Sequence, residues 1–142
     1  MEFVRKHKKL VVIAAAVLLV GALFAYDAVR ASTYEIELVS ITPEQPVADN
    51  KQHVTVVLRL TRYGTPVEGH SLFTLALNGG QFRGNRKLTD KDGCVELIYI
   101  PYTSTKLLPA GRVEVEVLDE SNSVFIEINA KMTFYIDLKE KD

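Results

Sequence analysis

The stretch TDKDGC, residues 89–94, sets Thr89, Asp90 and Asp92 beside Gly93 and Cys94, the sole cysteine of the chain. Three chemistries are open to such a cluster: oxygen ligation of a hard cation, thiol reactivity, or a tight turn. A helix–loop–helix calcium loop needs another acidic or amide ligand after Asp92 and a glutamate near the loop's end, but Cys94 and Val95 come next. Asp-Gly is a strong hairpin signal, because glycine accepts positive φ and aspartate closes the turn through its own backbone. The turn reading prevails, with Asp90, Asp92 and Gly93 as turn residues and no metal. In the strand that follows, Val95, Leu97 and Tyr99 read inward, which leaves Cys94 on the other face with Glu96, Ile98 and Ile100. A partly covered thiol, an intermolecular bridge and a reactive or lipidated cysteine all remain open there.

No other residues assemble an enzyme signature. His7, His53 and His70 have no Cys, Asp or Glu at metal-ligand spacing. GGQFRG, residues 79–84, neither follows a strand in the required context nor opens a helix. LLPAG at 107–111 lacks the threonine and the apolar tail of a sortase signal. The reading is therefore non-enzymatic, with no catalytic, cofactor-binding or metal residues. Two stretches carry contact chemistry instead. NGGQFRGNRK, 78–87, puts Phe82, Arg83, Arg86 and Lys87 among three glycines, a composition for a partner or an acidic polymer, or for a solvated flexible loop. PYTSTKLLPAGR, 101–112, holds Tyr102, Leu107 and Leu108, which either cover a sheet end or meet a partner.

The elements that must position these residues begin at the N-terminus. Residues 1–9 carry Arg5, Lys6, Lys8 and Lys9 against Glu2, a net of +3 within a chain of −1 overall. The remaining −4 excludes nucleic-acid binding by bulk charge. LVVIAAAVLLVGALFAY, 10–26, is 17 positions without a charge, ten of them Leu, Ile, Val or Phe. Insertion is favoured by roughly 3–6 kcal/mol. Leu10, Ile13, Leu18, Leu19, Leu23 and Phe24 are the expected anchor residues of a transmembrane helix over 10–29. The run alone spans about 25 Å, short of the roughly 30 Å hydrocarbon core, so Ala28, Val29 and the flanking Lys8, Lys9 and Arg30 must complete it. The basic flank places the N-terminus in the cytoplasm. A cleaved signal peptide is the competing reading, with Val29-Arg30-Ala31 before the cut. Its apolar core normally has 7–15 residues, so the 17-residue run favours a retained signal anchor.

Beyond residue 30 the period becomes two. Strands are expected at 34–41, 53–60, 71–77, 94–100 and 112–117, and over VFIEINAKMTFYIDL, 124–138. In the last run Val124, Ile126, Ile128, Ala130, Met132, Phe134, Ile136 and Leu138 share the inward face, with a bend near Asn129–Lys131, since one unbroken strand would be about 50 Å long. A seventh, short strand is expected somewhere in 81–89. The pattern predicts an all-β, two-sheet Greek-key sandwich at 34–142, joined to the helix by a linker at 30–33.

Three pieces of turn chemistry carry a family resemblance. ITPEQPVADN precedes the valine-rich HVTVVLRL; Gly64, Pro66, Val67 and Gly69 form a Gly-x-Pro-Val-x-Gly turn; and Thr89, Asp90 and Gly93 form a Thr-Asp-x-x-Gly turn. Over residues 36–138 the chain resembles the bacterial immunoglobulin-like domain of the invasin and intimin type. The resemblance implies an immunoglobulin-like β-sandwich of about seven strands. With no tryptophan and one cysteine, it lacks the Cys–Trp–Cys core of antibody domains and must hold by packing. Family members commonly occur in tandem arrays, whereas one domain follows the helix here. The expected role is a structural or interaction subunit of a bacterial envelope, secretion or surface assembly. It would contact the lipid bilayer through 10–29 and other membrane or envelope proteins through its body. The alternative is a secreted or surface-displayed adhesin or carbohydrate-binding module released by signal cleavage.

Overall fold

The computed structural model describes residues 2–142, residues 3 and 4 by backbone alone; Met1 of the expected basic tail lies outside the described residues. Two helices come first, α1 (Glu2–Lys6) and α2 (Lys8–Ser32). Nine strands follow among the described residues: β1 (Tyr34–Thr42), β2 (Val54–Arg62), β3 (Thr65–Pro66), β4 (Ser71–Ala76), β5 (Gln81–Arg83), β6 (Arg86–Leu88), β7 (Cys94–Ile100), β8 (Arg112–Asp119) and β9 (Lys131–Asp137). They form two antiparallel sheets, β1-β2-β7-β5 with β3 on β2, and β6-β4-β8-β9. Strands distant in sequence lie side by side, as in the ABED and CFG sheets of immunoglobulin-like sandwiches.

Alternation builds the core between the sheets. Val54, Val56, Leu58 and Leu60 of β2 face Val113, Val115 and Val117 of β8, all seven fully buried. Each such side chain contributes about 1.5–3 kcal/mol over leaving it in water. Val95, Leu97 and Tyr99 of β7 and Phe134 and Ile136 of β9 complete the layer. Residues 46–48 leave the first sheet and join the edge of the second: Val47 bridges Lys139 in parallel, and Ala48 N–H donates to the Lys139 carbonyl at 2.9 Å.

The register fixes two ends of the body. Tyr34 pairs with Arg62, Leu58 with Val95 and Leu72 with Asp119 toward the end that meets α2. Thr42 with Thr55, Gln81 with Ile100 and Arg112 with Asp137 mark the opposite, distal end.

Three expectations change. The 81–89 stretch holds two strands, not one, and they sit in different sheets: β5 pairs with β7, while β6 pairs with β4. Gly84, at φ +69, turns the chain across the sandwich edge between them. The alternating run 124–138 forms a strand only over Lys131–Asp137. Val124 is exposed, and Ile126 and Ile128 are half-buried in a loop, because the amides of 124–126 are bonded to Asp27 and cannot join a ladder. Finally, the expected linker at 30–33 is helical through Ser32, with Thr33 capping α2 directly before β1. Tertiary contacts made by Asp27 and Arg30 hold the last helical turn against the body.

Candidate functional site at the helix junction

Helix α2 has 25 residues, about 37 Å at 1.5 Å each. It is long and apolar enough to cross a membrane. Leu10, Ile13, Leu18, Leu19 and Phe24 are exposed and Leu23 half-exposed, so the helix is not the core of a water-soluble globule. Its length and composition fit a membrane anchor or a signal sequence.

At its C-terminal end the helix enters the body. Asp27 is completely buried. Its carboxylate accepts the backbone N–H of Val124 at 2.9 Å, of Phe125 at 2.7 Å and of Ile126. One turn on, Arg30 Nε donates to the Asn122 carbonyl at 2.7 Å and its Nη2 to Tyr34 Oη at 3.1 Å. Arg62 Nε reaches Thr33 Oγ1 at 3.1 Å and its guanidinium lies over the Tyr34 ring.

The 122–130 loop is shaped to meet the carboxylate. Asn122, fully buried, donates through Nδ2 to the Ile128 carbonyl at 2.9 Å and accepts the Ala130 N–H on Oδ1 at 2.9 Å. Ser123 Oγ donates to the Ile128 carbonyl at 2.7 Å and accepts the Ile128 N–H at 2.9 Å. These local bonds compete with strand formation and leave three successive amides pointing at α2. A buried carboxylate persists only when paired and hydrogen-bonded in this way. Nothing in the alternation signalled this role for Asp27; the available cue was an acidic residue directly behind an apolar run.

The turn residues occupy the end near α2. Tyr63 at φ +49 and Gly64 at φ +78 link Arg62 to Thr65 in a two-residue hairpin, and Pro66 pairs with Thr61. Gly69 N–H donates to the Thr89 carbonyl at 2.9 Å. Asp90 Oδ1 accepts the N–H groups of Asp92 at 2.8 Å and Cys94 at 2.9 Å. Burial, with the Asp90 carboxylate next in weight, pushes the Cys94 thiol up, so it is held protonated rather than activated.

The expected contact residues do not form one site. Phe82 is half-buried with its ring 5.3 Å from that of Tyr99, and Arg83 reaches His53 Nε2 at 3.3 Å. Arg86, on the other sheet, forks onto both Glu120 oxygens at 3.1 and 3.0 Å and lies over the Phe73 ring. Lys87 Nζ donates to the Glu96 carbonyl at 2.8 Å. Tyr102 is half-buried and donates to the Pro109 carbonyl at 3.0 Å. Leu107, 98% exposed, and Leu108, 47% exposed, stand free of the core at the distal end. Among the described residues no three His, Cys, Asp or Glu could hold a metal ion. His70 gains a partner that sequence spacing hid, since its Nδ1 lies 2.8 Å from Oδ2 of the buried Asp119, 49 residues on.

Solved structures of intimin share this architecture. A C-terminal 282-residue fragment of intimin, in complex with the intimin-binding domain of the translocated intimin receptor, superposes with a TM-score of 0.50 at 14% identity, covering 72% of this chain and 33% of that one. The D0–D1 domain of intimin gives 0.49 at 14% identity, over 72% of this chain and 46% of that one. A conjugate transposon protein from Bacteroides vulgatus gives 0.44 at 13% identity, over 73% and 83%. The chain thus spans less than half the length of these intimin structures. No protein-family model and no curated protein matches it. The fold is an immunoglobulin-like β-sandwich similar to that of the intimin fragment, preceded by one apolar N-terminal helix.

Proposed function

We propose that this chain is a single-pass, membrane-anchored subunit of a bacterial envelope, secretion or surface assembly that works by protein contact rather than catalysis. Residues 1–9 lie in the cytoplasm, 10–29 cross the bilayer, and the body over 34–142 stands on the extracytoplasmic side. The observation that carries this reading is the bonding of Asp27 and Arg30 to the 122–126 segment and Tyr34. A signal peptide cut after Ala31 would remove both residues and leave three loop amides and the Asn122 carbonyl without partners, at a cost that a discarded leader does not explain. The intimin fragment of the same fold is in complex with a domain of a protein receptor, which supports a protein as the partner of the exposed distal loops.

Carbonate extraction of expressing cells, followed by N-terminal sequencing, tests it. The expected result is an intact chain in the membrane pellet, with partners recovered by pull-down in mild detergent. A mature N-terminus at Ser32 in the soluble fraction would overturn the anchor and favour the secreted module.

A further inference from the structure

The apolar run ends at Tyr26, and the next residue, Asp27, is charged. On a bare helix that carboxylate would set the edge of the hydrocarbon, because a carboxylate facing acyl chains is expensive. The 122–130 loop covers it. Its three amides take up the carboxylate, and its outer side presents Val124 and Phe125, 55% and 57% exposed. The Phe125 ring meets the Tyr26 ring edge-on at 5.4 Å, so the loop tip lies level with the last residue of the apolar run. Val29, one turn further, and Tyr63, on the neighbouring hairpin, are exposed as well.

Irregular backbone at membrane depth is tolerated only when its polar groups are satisfied internally. The side chains of Asn122 and Ser123 satisfy the backbone at Ile128 and Ala130, while Asn129 Oδ1 is buried without a hydrogen-bond partner and Glu127 is exposed, which confines the contact to the Val124–Phe125 tip. Behind the apolar tip stand Arg30 and Arg62, lining one groove with Tyr26, Val29 and Tyr63. Tyrosine rings such as Tyr26 and Tyr63 are enriched at both membrane–water interfaces. The loop tip adds apolar surface beside Tyr26, the last residue of the uncharged run.

We infer that the 123–126 loop is a second membrane contact: Val124 and Phe125 insert into the outer interface of the bilayer beside Tyr26, seating the body on the lipid while shielding Asp27. This rests on the anchor reading above, and the experiment separates the two. The chain has no tryptophan, so each substitution is a unique fluorophore. Full-length Leu18→Trp, Phe125→Trp, Val124→Trp and Leu107→Trp variants are reconstituted into phosphatidylcholine bilayers with and without lipids brominated at shallow or deep positions, the sheet content of each being checked by circular dichroism. Leu18→Trp is quenched by deep bromines. Phe125→Trp is blue-shifted and quenched more by shallow than by deep bromines, and Leu107→Trp, at the distal end, keeps solvent-exposed emission without quenching. Val124→Trp repeats the loop measurement should Phe125→Trp fail to fold. Quenching at Leu18→Trp with none at the loop positions overturns the second contact and leaves the anchor standing. A blue shift without bromine quenching means that protein covers the loop, and also overturns it. No quenching at Leu18→Trp overturns the anchor and this contact together.

Discussion

Gly93 sits at φ +74, and a Cβ there would come 2.4 Å from the Leu60 carbonyl oxygen, whereas Gly64, at φ +78, faces open space. Both positions charge an L-residue for left-handed backbone, about 1–2 kcal/mol, but only Gly93 adds a collision with fixed main chain. The collision matters because Leu60 N–H donates to the Gly93 carbonyl at 2.8 Å, tying the turn to the central strand β2. Gly93→Ala is therefore expected to cost about 2–4 kcal/mol and Gly64→Ala about 1 kcal/mol, measured by urea denaturation in detergent. Equal costs would mean that the turn is not pinned to β2. The glycines of these turns were legible because their reason is local: positive φ is written in Asp-Gly and Gly-x-Pro. Asp27 was not, since its partners lie 97–99 residues away, and nothing local distinguishes a junction carboxylate from a flank charge. The His70–Asp119 pair was hidden for the same reason.

Strands with one buried face announced themselves by alternation, and β2, β4, β7 and β8 follow it, whereas β1 does so only over Tyr34–Ile36, before a register shift between Leu38 and Ser40 that leaves Leu38 and Val39 exposed. The run 124–138 misled because a loop of alternating residues has the same letters as a strand, while side-chain bonds from Asn122 and Ser123 and the pull of Asp27 decide its backbone. The turn-formers Ser121, Asn122 and Ser123 were the signal available. The 81–88 segment split between sheets because each short piece pairs with a different edge, a choice that polar composition does not encode. At the distal end a set of carboxylates closes the C-terminal segment. A hydrogen bond from Lys141 holds Asp49 below the usual carboxylate range; Ser104, then the Ala110 N–H, does the same for Glu140, and Arg112 for Asp137. Each folded-state pKa is lowered, so the stabilisation is complete above the unfolded values near 4 and disappears as the pH falls through the folded ones. Thermal melts should hold steady from pH 7 to about 5 and drop below pH 4. Glu140→Gln should lower the midpoint at pH 7 by a few degrees at most, because these pairs are exposed, and should shrink the acid-induced drop. An unchanged drop in that variant would remove Glu140 from the acid response.

The whole molecule is a helix and a sandwich without slack between them: Thr33 alone separates the last residue of α2 from the first of β1. Strands of nine residues carry the distal loops about 30 Å from the junction, so a small change of angle at Asp27 sweeps Leu107 and Leu108 across a wide arc. The position of those loops relative to the helix depends on two side chains that stop the sweep, the buried Asp27 and the half-buried Arg30. Spin labels at Ala22 on the helix and Glu114 on β8, in a Cys94→Ser background and reconstituted in bilayers, should give one narrow distance distribution by pulsed electron resonance. Asp27→Ala combined with Arg30→Ala removes the carboxylate and the guanidinium that bind the 122–126 segment, and should broaden that distribution while leaving the sheet content of the body intact. The narrow distribution should survive Leu107→Ser, which lies beyond the junction and touches nothing in it. A distribution already broad in the parent chain would mean that the helix and the body move independently, and that the interactions at Asp27 are too weak to orient the sandwich.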